Sequence, residues 1–90
     1  PQSRFGQEVQ LDKIAERLAV DPADLRLRMI APAQSLTANY LRVGTIGLGE
    51  CIERVVARSG WREKHGRLPH GRGVGLACSS YLTGAGLPIY

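Results

Sequence analysis

The stretch Val20-Asp21-Pro22-Ala23-Asp24-Leu25 constrains this chain more than any other. An aspartate carboxylate can accept hydrogen bonds from the orphan amides of a following helical turn, which suits Asp21 to an N-cap. Proline has no amide hydrogen, so Pro22 belongs at the first helical position. Asp24 adds a negative charge to the positive first turn. Val20 and Leu25 stand where a hydrophobic staple would close. The corner therefore predicts two helices meeting head to tail, a hairpin over residues 5–30.

The first helix should run from near Phe5 or Gly6 to Ala19. Leu11, Ile14, Ala15 and Leu18 recur at helical spacing and mark its inner face, with Asp12, Lys13, Glu16 and Arg17 on the wet side. The carboxylate row Glu8, Asp12 and Glu16 reads as solvated. The second helix should run from Pro22 to about Ile30, with Leu25, Met29 and Ile30 inward, and Pro32 stops it.

Two readings of this hairpin compete. One is a helix-turn-helix DNA-binding module with Arg26 and Arg28 on the recognition helix. The other is a connecting hairpin inside an enzyme. Charge separates them. The formal net charge is +4. Residues 1–30 balance Arg4, Lys13, Arg17, Arg26 and Arg28 against Glu8, Asp12, Glu16, Asp21 and Asp24. The excess lies later, chiefly at Arg58, Arg62, Lys64, Arg67 and Arg72. A DNA-reading helix pair carries its basic footprint on its own helices, so neutrality counts against that reading.

Residues 31–44 show no sustained period and form a long connection. A third helix is predicted over 46–59, with Leu48, Cys51, Ile52, Val55 and Ser59 on one face and Glu50 four residues before Arg54. Gly60 is placed to end it in a left-handed cap, and Trp61 to fold back over that end. Residues 62–71 read as a charged connection. From Arg72 to Leu82 the period becomes that of a strand. Val74, Leu76, Cys78 and Ser80 share one face, and Gly75, Ala77, Ser79 and Tyr81 the other. A lone strand is not stable, so its sheet is expected to be completed by residues outside this chain. The predicted fold class is thus α+β, three helices plus a C-terminal strand, a piece of a larger domain.

Ninety residues make one small domain at most. Neither an apolar membrane span nor a signal peptide is visible. Cys51 and Cys78 are too far apart for redox or metal spacing, and read as two buried thiols of a reduced, cytoplasmic protein. His65 and His70 have no third ligand nearby. Gly71-Arg72-Gly73-Val74-Gly75 lacks the Gly-Lys-Ser/Thr ending of a phosphate loop. Ser79, Ser80 and Tyr81 could donate to a ligand, but sequence places no base beside either serine. The spacing yields no catalytic, cofactor-binding or metal-binding constellation.

Three runs together carry a resemblance: PQSRFGQEVQLDKIAERLAVDPADLRLRMI, TANYLRVGTIGLGECIERVVARSGW and LPHGRGVGLACSSYLTGAG. Their order resembles the molybdopterin-binding large subunit of the xanthine dehydrogenase/aldehyde oxidase family. The shared features are a Pro-Gln start, a DP-x-x-L-R corner, a G-L-x-E-C-I helix ending in S-G-W, and a G-R-G-x-G-x-A run. Within the family the pattern is most similar to the large subunit of 4-hydroxybenzoyl-CoA reductase and the benzoyl-CoA reductase-type relatives. Met29 departs from it, since an asparagine usually follows the L-R-x-R run.

The resemblance implies an internal segment of a molybdenum hydroxylase-type oxidoreductase acting on an aromatic acyl-CoA, aldehyde or N-heterocycle, the acyl-CoA being preferred. It implies molybdopterin cytosine dinucleotide with molybdenum in the parent subunit, and iron–sulfur clusters and FAD on partner subunits. It places the Arg-Gly loop near molybdenum before Pro1, and the Gly-Gln-Gly loop and catalytic glutamate after Tyr90. Neither nucleic acid nor membrane is implied as a partner. Tyr81, Leu82, Thr83 and Gly84 would line the substrate channel. A freestanding interaction domain without an active site is the blander alternative.

Overall fold

A computed structural model of the chain describes residues 2–38, 40 and 42–80. Among these described residues four helices follow in order: α1 (Gln2–Leu18), α2 (Pro22–Met29), α3 (Leu48–Ser59) and the single turn α4 (Trp61–Lys64). Helix α1 packs on α2, α2 on α3, and α3 on α4.

The ends of these helices follow from local chemistry. Asp21 caps α2, its Oδ1 accepting from the amides of Ala23 at 2.7 Å and Asp24 at 3.4 Å, with Pro22 opening the helix. Helix α1 closes in a paired C-terminal motif: the Val20 amide donates to the Ala15 carbonyl and the Ala19 amide to that of Glu16. The left-handed position falls on Ala19, at φ 55°, where glycine would sit without strain. Gly60 ends α3 at φ 71°, its amide donating to the Val56 carbonyl. The chain then turns at once into α4, a turn of helix where the sequence pattern predicts only a connection.

The core is small. Ala23, Ile52, Val56 and Trp61 are buried together, with Leu27, Ile30, Leu76 and Cys78 packed against them. Several predicted faces are rotated from this arrangement. On α1 the inward residues are Glu8 and Ala15, flanked by half-buried Arg4 and Leu11, while Ile14 and Leu18 are exposed. On α2, Leu25 is buried as expected but Met29 is exposed. On α3 the buried pair is Ile52 and Val56, and Val55 and Cys51 face out. Cys51 is therefore not the buried thiol that its spacing suggests.

The described residues of the connection 31–44 bring its two arms together. Leu36 and Arg42 form an isolated antiparallel bridge, and the Val43 amide donates to the Ser35 carbonyl at 2.8 Å. Tyr40, at φ 65°, stands almost wholly in solvent.

The predicted C-terminal strand is not formed: among the described residues there is no strand, so the α+β class gives way to a mostly helical one. Residues 72–80 have no regular secondary structure. A strand exists by exchanging ladder hydrogen bonds with a neighbour. Here side chains take that role at Cys78, whose amide donates to Glu8 Oε1 at 2.7 Å and whose carbonyl accepts from Arg4 Nε at 2.8 Å. The alternation still places Leu76 and Cys78 on the core. Residues 81 and 82 of that prediction lie outside the described residues.

Candidate functional site

The most organised polar cluster joins α1, α2 and the 72–80 segment. Glu8 and Arg26 are 6% and 5% exposed, far below what charged side chains usually show. Arg26 Nε donates to Glu8 Oε1 at 2.9 Å. Its Nη1 reaches the Pro22 carbonyl at 3.0 Å, and its Nη2 reaches the Glu8 carbonyl at 3.2 Å and Asp12 Oδ1 at 3.0 Å. One guanidinium thus fills acceptors on two helices, which only its planar fork allows.

Glu8 Oε1 receives both Arg26 and the Cys78 amide, while Oε2 accepts no hydrogen bond and lies 3.4 Å from Arg4 Nη2. Burial pushes the Glu8 carboxyl up. The Cys78 amide, the Arg26 hydrogen bond and the two guanidinium charges pull it down further, and it ends below the usual glutamate value. Arg26 is held above its ordinary value: burial works against its charge, but Glu8 and Asp12 outweigh it. Burial and the nearby Glu8 carboxylate push the Cys78 thiol up, so it is not an activated thiolate.

A second cluster locks α4 to the corner. The buried Trp61 indole Nε1 donates to Asp21 Oδ1 at 3.1 Å and Oδ2 at 3.0 Å. Arg62 grips Asp24 with two bonds of 3.0 and 2.8 Å, and that pairing, working against slight burial, holds the Asp24 carboxyl below its ordinary value. Asp21 is therefore both helix cap and tryptophan acceptor. His65 stacks on Trp61 with ring centroids 4.4 Å apart and planes 16° from parallel.

Tyr81, Leu82, Thr83 and Gly84, the expected channel residues, lie outside the described residues. Ser79, Ser80 and His70 are exposed. A groove of 430 Å³ runs between α1 and the 75–79 segment, with Arg4, Phe5, Glu8 and Val9 on its wall. Sequence reasoning missed the Glu8–Arg26 cluster. Its signals were present: Glu8, Asp12 and Ala15 share one helical stripe, and the hairpin's charges balance.

The helix-turn-helix reading has no support, because Arg26 is buried in ion pairs and cannot reach a base edge. Among the described residues, no three of His, Cys, Asp and Glu come together to hold a metal. Arg4, the arginine on the groove wall, is already paired with Glu8, and the buried Arg26 with Glu8 and Asp12. This groove thus offers no uncommitted arginine to the phosphates of a molybdenum cofactor.

Comparison with known proteins yields two informative relatives. The "Putative xanthine dehydrogenase molybdenum-binding subunit XdhA" of Escherichia coli K12 is 36% identical over 91 residues. The "Xanthine dehydrogenase molybdenum-binding subunit" of Escherichia coli O157:H7 is 35% identical over 91 residues. The similarity supports the xanthine dehydrogenase family. Each alignment covers 92% of this chain and 12% of the relative, so the chain spans about an eighth of the length of the curated relatives it matches. Both names are those of an oxidoreductase's molybdenum-binding subunit; neither supports the 4-hydroxybenzoyl-CoA reductase member or a role in aromatic degradation. No family model and no solved structure matches the chain.

Proposed function

We propose that this chain is an internal segment of the molybdenum-cofactor-binding subunit of a xanthine dehydrogenase-type oxidoreductase. The observation that carries this is the similarity to the two relatives along 92% of the chain. The segment serves as scaffold, and residues 81–84 contribute to the wall of the substrate channel. The rest of the large subunit carries molybdopterin cytosine dinucleotide with molybdenum. Partner subunits carry the iron–sulfur clusters and FAD that pass electrons on. The assembly works in the cytoplasm. Among the described residues, no helix is long and apolar enough to cross a membrane.

The exposed apolar residues favour a scaffold role. Phe5, Leu18, Met29, Leu36, Tyr40 and Val55 all face solvent in the described structure. So many large apolar groups on so small a unit suit a segment covered by the remainder of its own subunit.

The substrate we propose is an N-heterocycle of the xanthine type, in line with both relatives' names. The aromatic acyl-CoA of the sequence resemblance is the competing substrate. The test is turnover by the full-length protein with its partner subunits. Oxidation of xanthine with electrons delivered to an acceptor supports the proposal. Reduction of 4-hydroxybenzoyl-CoA without xanthine turnover replaces it with the acyl-CoA reading.

A further inference from the structure

We propose that Cys51 and Cys78 are an oxidation-responsive pair, whose two thiols a hydroperoxide converts into one disulfide that ties the 72–80 segment to α3. The two cysteines are far apart in sequence, and packing brings them to one place. Leu48, Cys51 and Val55 follow one another at helical spacing along one side of α3. Val55 shares a groove of 330 Å³ with Leu76 and Ala77. Leu48 shares a groove of 280 Å³ with Cys78. The segment thus runs back along this stripe, and Cys51 lies between its two points of approach. Cys78 also packs on the cluster that holds Ile52, the residue next to Cys51. The Cys51 thiol is close enough for its charge to add to the upward push on the Cys78 thiol. Arg4 and Glu8 hold the Cys78 backbone in place from α1, so a fixed thiol faces a rigid helix.

The two thiols differ as a stepwise oxidation requires. Cys51 is exposed and Cys78 half-buried, so a hydroperoxide meets Cys51 first. The Cys51 thiolate attacks one peroxide oxygen and the O–O bond breaks. The sulfur becomes a sulfenic acid, and the other oxygen leaves as hydroxide. Cys78 then gives up its proton and its sulfur attacks that of Cys51. The S–O bond breaks, and the departing hydroxide is protonated to water. With hydrogen peroxide, two thiols give one disulfide and two waters. Burial and the Glu8 carboxylate keep Cys78 protonated against the pull of Arg26 and Arg4, so the second step is the slow one. In a reducing compartment such a bond is transient and forms only under oxidant.

The test treats the full-length protein with hydrogen peroxide, alkylates the remaining thiols and maps the peptides by mass spectrometry, before and after dithiothreitol. The Cys51–Cys78 cross-linked peptide should go from absent to the main form of both residues, and dithiothreitol should abolish it. In Cys51→Ser, Cys78 should stay reduced. In Cys78→Ser, Cys51 should accumulate as a sulfenic acid that dimedone traps. Should Cys78→Ser not fold, the wild type and Cys51→Ser decide the question by themselves. A Cys51 that stays reduced in the wild type, or that is oxidised without bonding Cys78, overturns the proposal. The bond is read without turnover, so the outcome is independent of the substrate and of the family.

Discussion

Replacing Arg26 by methionine should cost far more than a surface arginine ever does. Arg26 makes four hydrogen bonds at 2.9 to 3.2 Å, and its removal leaves the Glu8 carboxylate buried with its strongest counter-charge gone. Breaking a buried pair from one side typically costs about 3–5 kcal/mol. Asp12 adds little to this, because its side chain is about half exposed and water takes over. Removing both charges in Glu8→Met/Arg26→Met should restore much of the loss, since no ion is then stranded. The Cys78 amide would still lose its acceptor, at about 1–3 kcal/mol. Arg26→Lys keeps the charge but cannot reach acceptors on both helices, and should fall between wild type and Arg26→Met. The assay is native-state hydrogen exchange on α1 and α2 in the full-length protein, which reads local opening without assuming two-state unfolding. Opening of the α1–α2 pair should become at least about a hundredfold easier in Arg26→Met. A cost below about 1 kcal/mol, or a double variant worse than the sum of the singles, would refute the reasoning.

Three further outcomes follow from the same contacts. Asp21→Ala removes the α2 cap, at about 1 kcal/mol, and leaves the Trp61 indole unpaired, at about 1–3 kcal/mol more; a double-mutant cycle with Trp61→Phe should show clear coupling in α2 exchange, and additivity would count against the shared acceptor. Ala19→Gly should stabilise the end of α1 and Gly60→Ala should destabilise the end of α3, each by about 1 kcal/mol through the left-handed φ; the paired exchange measurement fails if both move the same way. Glu8 and Asp24 are more acidic folded than unfolded, so their stabilisation is full above their ordinary values of 4.5 and 3.8 and disappears as the pH falls through the lower folded-state values. Opening of α1 and α2 should therefore rise on acidification below about pH 4.5, and a pH-independent profile there would contradict it.

The corner at Asp21-Pro22 and the cap at Gly60 were legible because both are decided within a few residues. The faces of α1 and α3 were legible only in part, through Ala15 and Ile52. Apolar spacing assigned α1 an inner side of Leu11, Ile14, Ala15 and Leu18; Ala15 is buried and Leu11 half-buried, but Ile14 and Leu18 are exposed, because α1 packs against a guanidinium and its inner stripe carries Glu8. That pairing spans 18 residues, and the Trp61–Asp21 bond spans 40. Neither can be read from local spacing, although the balanced charges of residues 1–30 hinted that salt bridges lay within the hairpin. The strand at 72–82 failed for a different reason. Alternation records which residues face the core, and Leu76 and Cys78 do. It does not record whether the backbone's partners are another strand or, as at Cys78, two side chains of a helix.

The central claim is that this segment belongs to a molybdenum-binding subunit, and metal analysis of the full-length protein, purified with its partner subunits, tests it most directly. The account predicts near-stoichiometric molybdenum together with a pterin released on denaturation. A correctly matured complex containing neither would contradict it.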